Sequence, residues 1–229
     1  MERTCFFKIK LSAGLVVLAI TFWLLAGCVT GTDVSRTRHT PAAEKVPAGK
    51  GVSVVRLADG REGFVITEVS SINDALRKDF ASAVAMLNDQ DYVNAIDLLQ
   101  KIIEQSPGVT APYINIAIAY QHTGKAKQAE EHLKTALGLV PGHPVACNQY
   151  GLLYRRSGRF EEARKIYEKA LKSFPEYYPL HRNLGILCDL YLNDPACALK
   201  HYEMYSQYKP EDNQVKMWIA DLRSRLGTN

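Results

Sequence analysis

The chain repeats itself every 34 residues over most of its length, and no other feature restricts its fold so severely. Pro107, Pro141, Pro175 and Pro210 step by 34, 34 and 35; Ala95, Ala129, Ala163 and Ala198 step by the same intervals; Ala83, Ala117, Gly151 and Gly185 step by 34 throughout. Three independent positions in one register describe an array of small units, each unable to bury a core alone, that become stable by stacking on one another. Within a unit the apolar period is helical: Phe80, Val84 and Leu87 lead into Tyr92, Ile96 and Leu99, and Ile114, Ile118 and Tyr120 lead into Ala126, Leu133 and Leu137. Turn residues divide each unit into two antiparallel helices, as at Asn88-Asp89-Gln90-Asp91, Thr123-Gly124-Lys125, Ser157-Gly158-Arg159 and Asn193-Asp194-Pro195. Each unit ends at its proline, which has no amide hydrogen and clashes inside a helix.

These positions resemble the tetratricopeptide repeat family. The third unit carries the pattern through Tyr150-Gly151, Tyr154, Gly158, Phe160, Ala163, Tyr167, Ala170 and Pro175. The second carries it through Ala117, Tyr120, Gly124, Ala129, Ala136 and Pro141, and the fourth through Asn183-Leu184-Gly185, Ala198, Tyr202 and Pro210, with one extra residue near Pro195. The first is the most degenerate, with Met86 in place of an aromatic and Gln90 in place of the turn glycine. The resemblance implies an all-α, right-handed superhelical solenoid of four helix-turn-helix units, about 76–109, 110–143, 144–177 and 178–211. The alanines and glycines would mark the closest helix approach and the aromatics would fill the space between units. After Pro210, Val215, Trp218, Ile219, Leu222 and Leu226 share one face, the pattern of a capping helix over 212–229; a helix that docks on another protein is the alternative.

The first 27 residues read as a secretion signal: Arg3, Lys8 and Lys10, then an apolar stretch from Leu11 to Leu24, then Leu25-Ala26-Gly27-Cys28. The stretch is short for a span, which needs about 20 residues. The tetrad resembles the lipobox of bacterial lipoproteins, which implies cleavage before Cys28, a thioether lipid on its sulfur and an acylated amino group. Two or more acyl chains anchor stably where one does not. Val29, where an Asp would signal retention, points by the same resemblance to the outer membrane, with the body facing the periplasm. An uncleaved anchor helix is the alternative. Residues 28–51 are rich in Thr, Ser, Gly, Pro, Lys and Arg without apolar period, a solvated tether with a typical span of roughly 25 Å. Val52, Val54 and Val55, the Asp59-Gly60 turn and Phe64-Val65-Ile66-Thr67 predict a small β-hairpin over 52–72 that docks on the helices, or an induced partner strand.

Function should reside on a surface. No Gly-rich phosphate loop, His-Glu-x-x-His, Gly-x-Ser-x-Gly or haem-attachment motif is present, so neither an enzyme nor a bound cofactor or small-molecule substrate is expected beyond the lipid on Cys28. Formal charge is +4, and loss of the first 27 residues leaves 25 basic and 23 acidic groups, which disfavours nucleic acid. In the resembled family the first helices of successive units line a concave groove. Its candidate contacts here are Phe80, Val84 and Leu87; Ile114, Ile118, Gln121 and His122; Asn148, Leu152, Arg155 and Arg156; and Arg182, Ile186 and Asp189. Val84, Ile118, Leu152 and Ile186 are equivalent and form an apolar floor, which with three arginines suits an amphipathic or partly acidic segment of a protein partner. Internal filling of that floor by the hairpin or the capping helix is the alternative. Members that grip peptide C-terminal carboxylates use Lys and Asn at these positions, which disfavours a chaperone-tail clamp.

Cys147, Cys188 and Cys197 would sit in an oxidising compartment. Cys188 on the first helix of unit four and Cys197 beside Ala198 on the second can form a disulfide, the alternative being free buried thiols; so short a loop would contribute roughly 2.5 kcal/mol. Cys197 and His201, four apart, offer half of a metal site without an evident second pair, so no metal is expected. Repeat lipoproteins of this design resemble the pilotins of type IV pili and related secretion or motility assemblies, which implies a membrane-anchored adaptor for an envelope machine. A periplasmic chaperone or regulatory subunit of a cell-wall enzyme is the alternative.

Overall fold

The computed structural model describes residues 52–56, 64–68 and 72–228. The signal segment, Cys28, the tether and the Asp59-Gly60 turn lie outside the described residues. Strands β1 (Val52–Arg56) and β2 (Phe64–Glu68) pair antiparallel with Val54 opposite Ile66. Among the described residues neither strand lies against a helix, so the docking expected of this segment is not part of the structure.

The body is all helical: α1 (Asp74–Asn88), α2 (Tyr92–Gln105), α3 (Thr110–His122), α4 (Ala126–Leu139), α5 (Pro144–Arg156), α6 (Phe160–Ser173), α7 (Tyr178–Leu190), α8 (Pro195–Tyr208) and α9 (Asn213–Leu226). Local chemistry sets the starts. Asn73 Oδ1 accepts from Leu76 N–H at 2.8 Å, Asp194 caps Cys197 and Asp212 caps Val215, each satisfying an amide that the first turn leaves unpaired. Pro144, Pro179 and Pro195 stand in first turns, where a missing N–H costs nothing. The turn inside each unit needs one left-handed residue. Gly124 and Gly158 supply it at φ 74° and 73°, and the first and fourth units use Gln90 at φ 63° and Asn193 at φ 50° instead.

Every consecutive pair of helices packs together, and the nine alanines at 83, 95, 117, 119, 129, 136, 146, 163 and 198 are fully buried where helices approach. Contact between alternate helices is one-sided. α1 touches α3, α3 touches α5 and α5 touches α7, whereas no two of α2, α4, α6 and α8 touch. The odd helices therefore form a tight inner row and the even helices a splayed outer row, which curves the stack around its inner face. α9 closes the far end by burying Val215, Ile219 and Leu222 against α8, with Trp218 against the Tyr202 ring at 5.2 Å.

Candidate partner-binding groove

The inner row divides into a closed half and an open half. Val84, Ile114 and Ile118 are 4%, 1% and 3% exposed, Asn148 is 8%, and Phe80 and Leu87 are likewise buried. These residues were expected to be contacts and are core instead. The reason is the close approach of α1, α3 and α5, whose apolar side chains fill one another's gaps, so the floor there is filled by the inner helices rather than by the hairpin or by α9. Over α5, α7 and α9 the row opens: Leu152, Ile186 and Trp218 are only partly buried, and Leu190, Tyr191 and Met217 are exposed. By register Leu190 is equivalent to Arg156 and Met217 to Arg182, so both extend the inner face. His122 is exposed and stacks on Tyr92 of α2 at 4.7 Å, outside the open half, and the Gln121 Nε2 is buried without a partner.

The open half is built from a substitution repeated in two units. Where the first two units pair Ala83 with Leu99 and Ala117 with Leu133, the next two pair Gly151 with Tyr167 and Gly185 with Tyr202. The Tyr167 ring occupies the space a Gly151 Cβ would need, and a Cβ on Gly185 would lie 2.5 Å from Cδ1 and Cε1 of Tyr202. Each glycine lets a tyrosine pass beneath an inner helix. The Tyr167 hydroxyl ends buried with no hydrogen-bond partner. Burial raises its pKa, and the charges of Arg155 and Arg156 pull the other way.

Charge on this face is unevenly paired. Arg77, Arg159, Arg164, Arg223 and Arg225 each hold a carboxylate, whereas Arg155, Arg156 and Arg182 have none among the described residues. Arg155 lies over the Tyr191 ring at 5.8 Å and Arg182 over the Trp218 ring at 5.7 Å. Asp189, expected to be free in the groove, is taken by Arg225 of α9 at 2.8 Å. Asn183 Nδ2 donates to Asn148 Oδ1 at 2.8 Å and ties α7 to α5. Tyr191, Trp218 and Met217 went unread as groove residues because their role depends on α9 lying beside α7, which no repeat period conveys.

The cysteines are structural here. Cys188 and Cys197 form a disulfide, and Cys147 is a buried thiol whose pKa burial pushes up to about 12. Asp194 stands beside the disulfide sulfurs, which as a bonded pair are unavailable as thiolate ligands. His201 does not join them as a half metal site. His181 Nε2 donates to the Pro175 carbonyl at 2.8 Å, so its Nδ1 accepts from His201 Nδ1 at 2.9 Å. His143 caps α5, accepting from the Ala146 amide.

Comparison with known proteins agrees with this architecture. The tetratricopeptide repeat family model matches residues 79–108 and 108–176. A probable UDP-N-acetylglucosamine–peptide N-acetylglucosaminyltransferase, SPINDLY of Petunia hybrida, is 30% identical over 96 residues, 42% of this chain but only a tenth of that relative's length. The type IV pilus assembly protein PilF of Pseudomonas aeruginosa is 26% identical over 129 residues, 54% of this chain and half of PilF. The solved structure of P. aeruginosa PilF superposes with a TM-score of 0.62 at 23% identity, covering 66% of this chain and 69% of that one. MamA of Desulfovibrio magneticus RS-1 does so at 0.58 with 15% identity, covering 69% and 89%. Over residues 79–176 the helical body of this chain is built of tetratricopeptide repeats.

Proposed function

We propose that this chain is a lipid-anchored adaptor of the bacterial envelope, tethered to the outer membrane through Cys28 and facing the periplasm, that holds a protein partner of an assembly machine in the open half of its groove. The observation that carries the reading is the open inner face of α5, α7 and α9, with apolar side chains exposed beside cations that lack a carboxylate. No helix among the described residues is long and apolar enough to cross a membrane. In this reading the Leu25-Ala26-Gly27-Cys28 tetrad attaches the body to a bilayer, with the tether and the β1–β2 segment between them. Two of the similar proteins carry assembly in their names, the type IV pilus assembly protein PilF and the photosystem I assembly protein Ycf3 of Prochlorococcus marinus.

The test is Cys28→Ala in living cells. The expected result is a folded, soluble periplasmic protein that keeps its groove but leaves the membrane fraction. Unchanged membrane fractionation would overturn the anchoring.

A further inference from the structure

We propose that the open half of the groove is an acid-selective receptor: a partner segment docks with its apolar side chains on Leu152, Ile186 and Met217 and places a carboxylate between Arg155 and Arg182. This deepens the adaptor reading and rests on it. Four observations converge. Of the eight arginines in the helical body, the three without a carboxylate among the described residues all belong to the inner face of α5 and α7. Arg155 and Arg182 are held over Tyr191 and Trp218, so their planar forks are already ordered and lose little freedom when an anion arrives. Arg155 Nη1 and the Tyr167 hydroxyl are both buried donors without an acceptor, a condition that native structures seldom leave standing. The acidic side chains of the face, Asp189 and Asp221, are both held by Arg225, at 2.8 and 2.9 Å, and not by Arg155 or Arg182.

The occupant is a polypeptide rather than a bilayer or a nucleic acid. Arg155 is partly buried, with Nη1 out of contact with solvent, and the same inner face exposes apolar side chains at Leu190 and Met217. A layer of anionic headgroups offers no apolar side chains for Leu190 and Met217, and nucleic-acid binders show a broad basic stripe, which a chain with 28 basic and 24 acidic residues does not predict. A narrow segment with Glu or Asp between large aliphatic residues satisfies both the cations and the apolar floor.

The experiment is isothermal titration of the full chain in mild detergent with two synthetic helical peptides identical in their leucines, one carrying Glu and the other Gln at the polar positions. The Glu peptide should bind roughly tenfold tighter at low salt, the worth of one buried charge-assisted hydrogen bond, and added salt should shrink the margin. Arg155→Gln with Arg182→Gln should erase the margin and leave the Gln peptide's affinity unchanged. Lys at both sites should restore part of it, and Arg223→Gln, outside the groove, should change nothing. Equal affinity for the two peptides would overturn the acid-selective site while the adaptor reading stands, and binding of neither would overturn both. Preference for anionic phospholipid vesicles over the Glu peptide would likewise overturn it.

Discussion

Gly185→Ala inverts an ordinary expectation and so probes how the open half is built. In the middle of a helix alanine is favoured over glycine by about 0.5–1 kcal/mol. Here the new Cβ would lie 2.5 Å from two carbons of the Tyr202 ring, which is about 1 Å inside ordinary carbon contact. Tyr202 is 1% exposed and packs on Trp218, so the ring has nowhere to swing. Overpacking of this kind costs about 1–3 kcal/mol, which exceeds the helix gain and leaves a net loss of about 1–2 kcal/mol. Tyr202→Leu recreates the alanine–leucine combination of the first two units, so the double variant should be more stable than the sum of its parts by about 1–3 kcal/mol. Gly138, with nothing near its would-be Cβ, is the control, and Gly138→Ala should be neutral or stabilising. Urea unfolding of the full chain in mild detergent, followed by helical circular dichroism, reads all four variants. A more stable Gly185→Ala, or additivity in the double variant, would refute the packing argument.

Three further outcomes follow from single sites. Gln90→Gly should stabilise the chain by about 1 kcal/mol, because Gln90 holds a left-handed backbone that other units give to glycine; an unchanged urea midpoint would contradict this. Reducing the Cys188–Cys197 disulfide should cost roughly 2–3 kcal/mol, visible as a lower midpoint with dithiothreitol than without. The His181–His201 pair predicts an acid-side loss. Burial and the neighbouring His181 hold His201 down at about 4, and burial also lowers His181. The unfolded chain therefore binds protons that the folded chain refuses, so stability is full above the ordinary histidine range and falls by roughly 2 kcal/mol as pH drops from about 6.5 toward 4. His201→Gln should flatten that limb, and an unaltered acid profile would show that the pair does not titrate as argued.

The fold was largely legible because periodic signals carry it. The prolines at 107, 141, 175 and 210 fall beyond helix ends, and the buried alanines recur in register. The binding face was legible only in part. A helix with one buried stripe announces its orientation, but α3 is buried continuously from Thr110 to Ala119, so no period separates a groove contact such as Ile118 from a core residue such as Ile116. The pairing of glycine with tyrosine, the capture of Asp189 by Arg225 and the stacking of Arg182 on Trp218 depend on residues 16 to 36 apart meeting across helices. The repeat register placed the arginines on the inner face, and only the packing showed which of them lack a carboxylate.

The most direct test of the adaptor reading is photo-crosslinking in living cells from a reactive amino acid at Leu152 or Ile186, compared with the outward-facing Lys134 of α4 and Glu168 of α6. The account predicts a discrete adduct with one envelope protein from the two inner positions, lost when Arg155 and Arg182 are both replaced by Gln, and none from the outer pair. Adducts from Lys134 and Glu168 with none from Leu152 or Ile186 would contradict it.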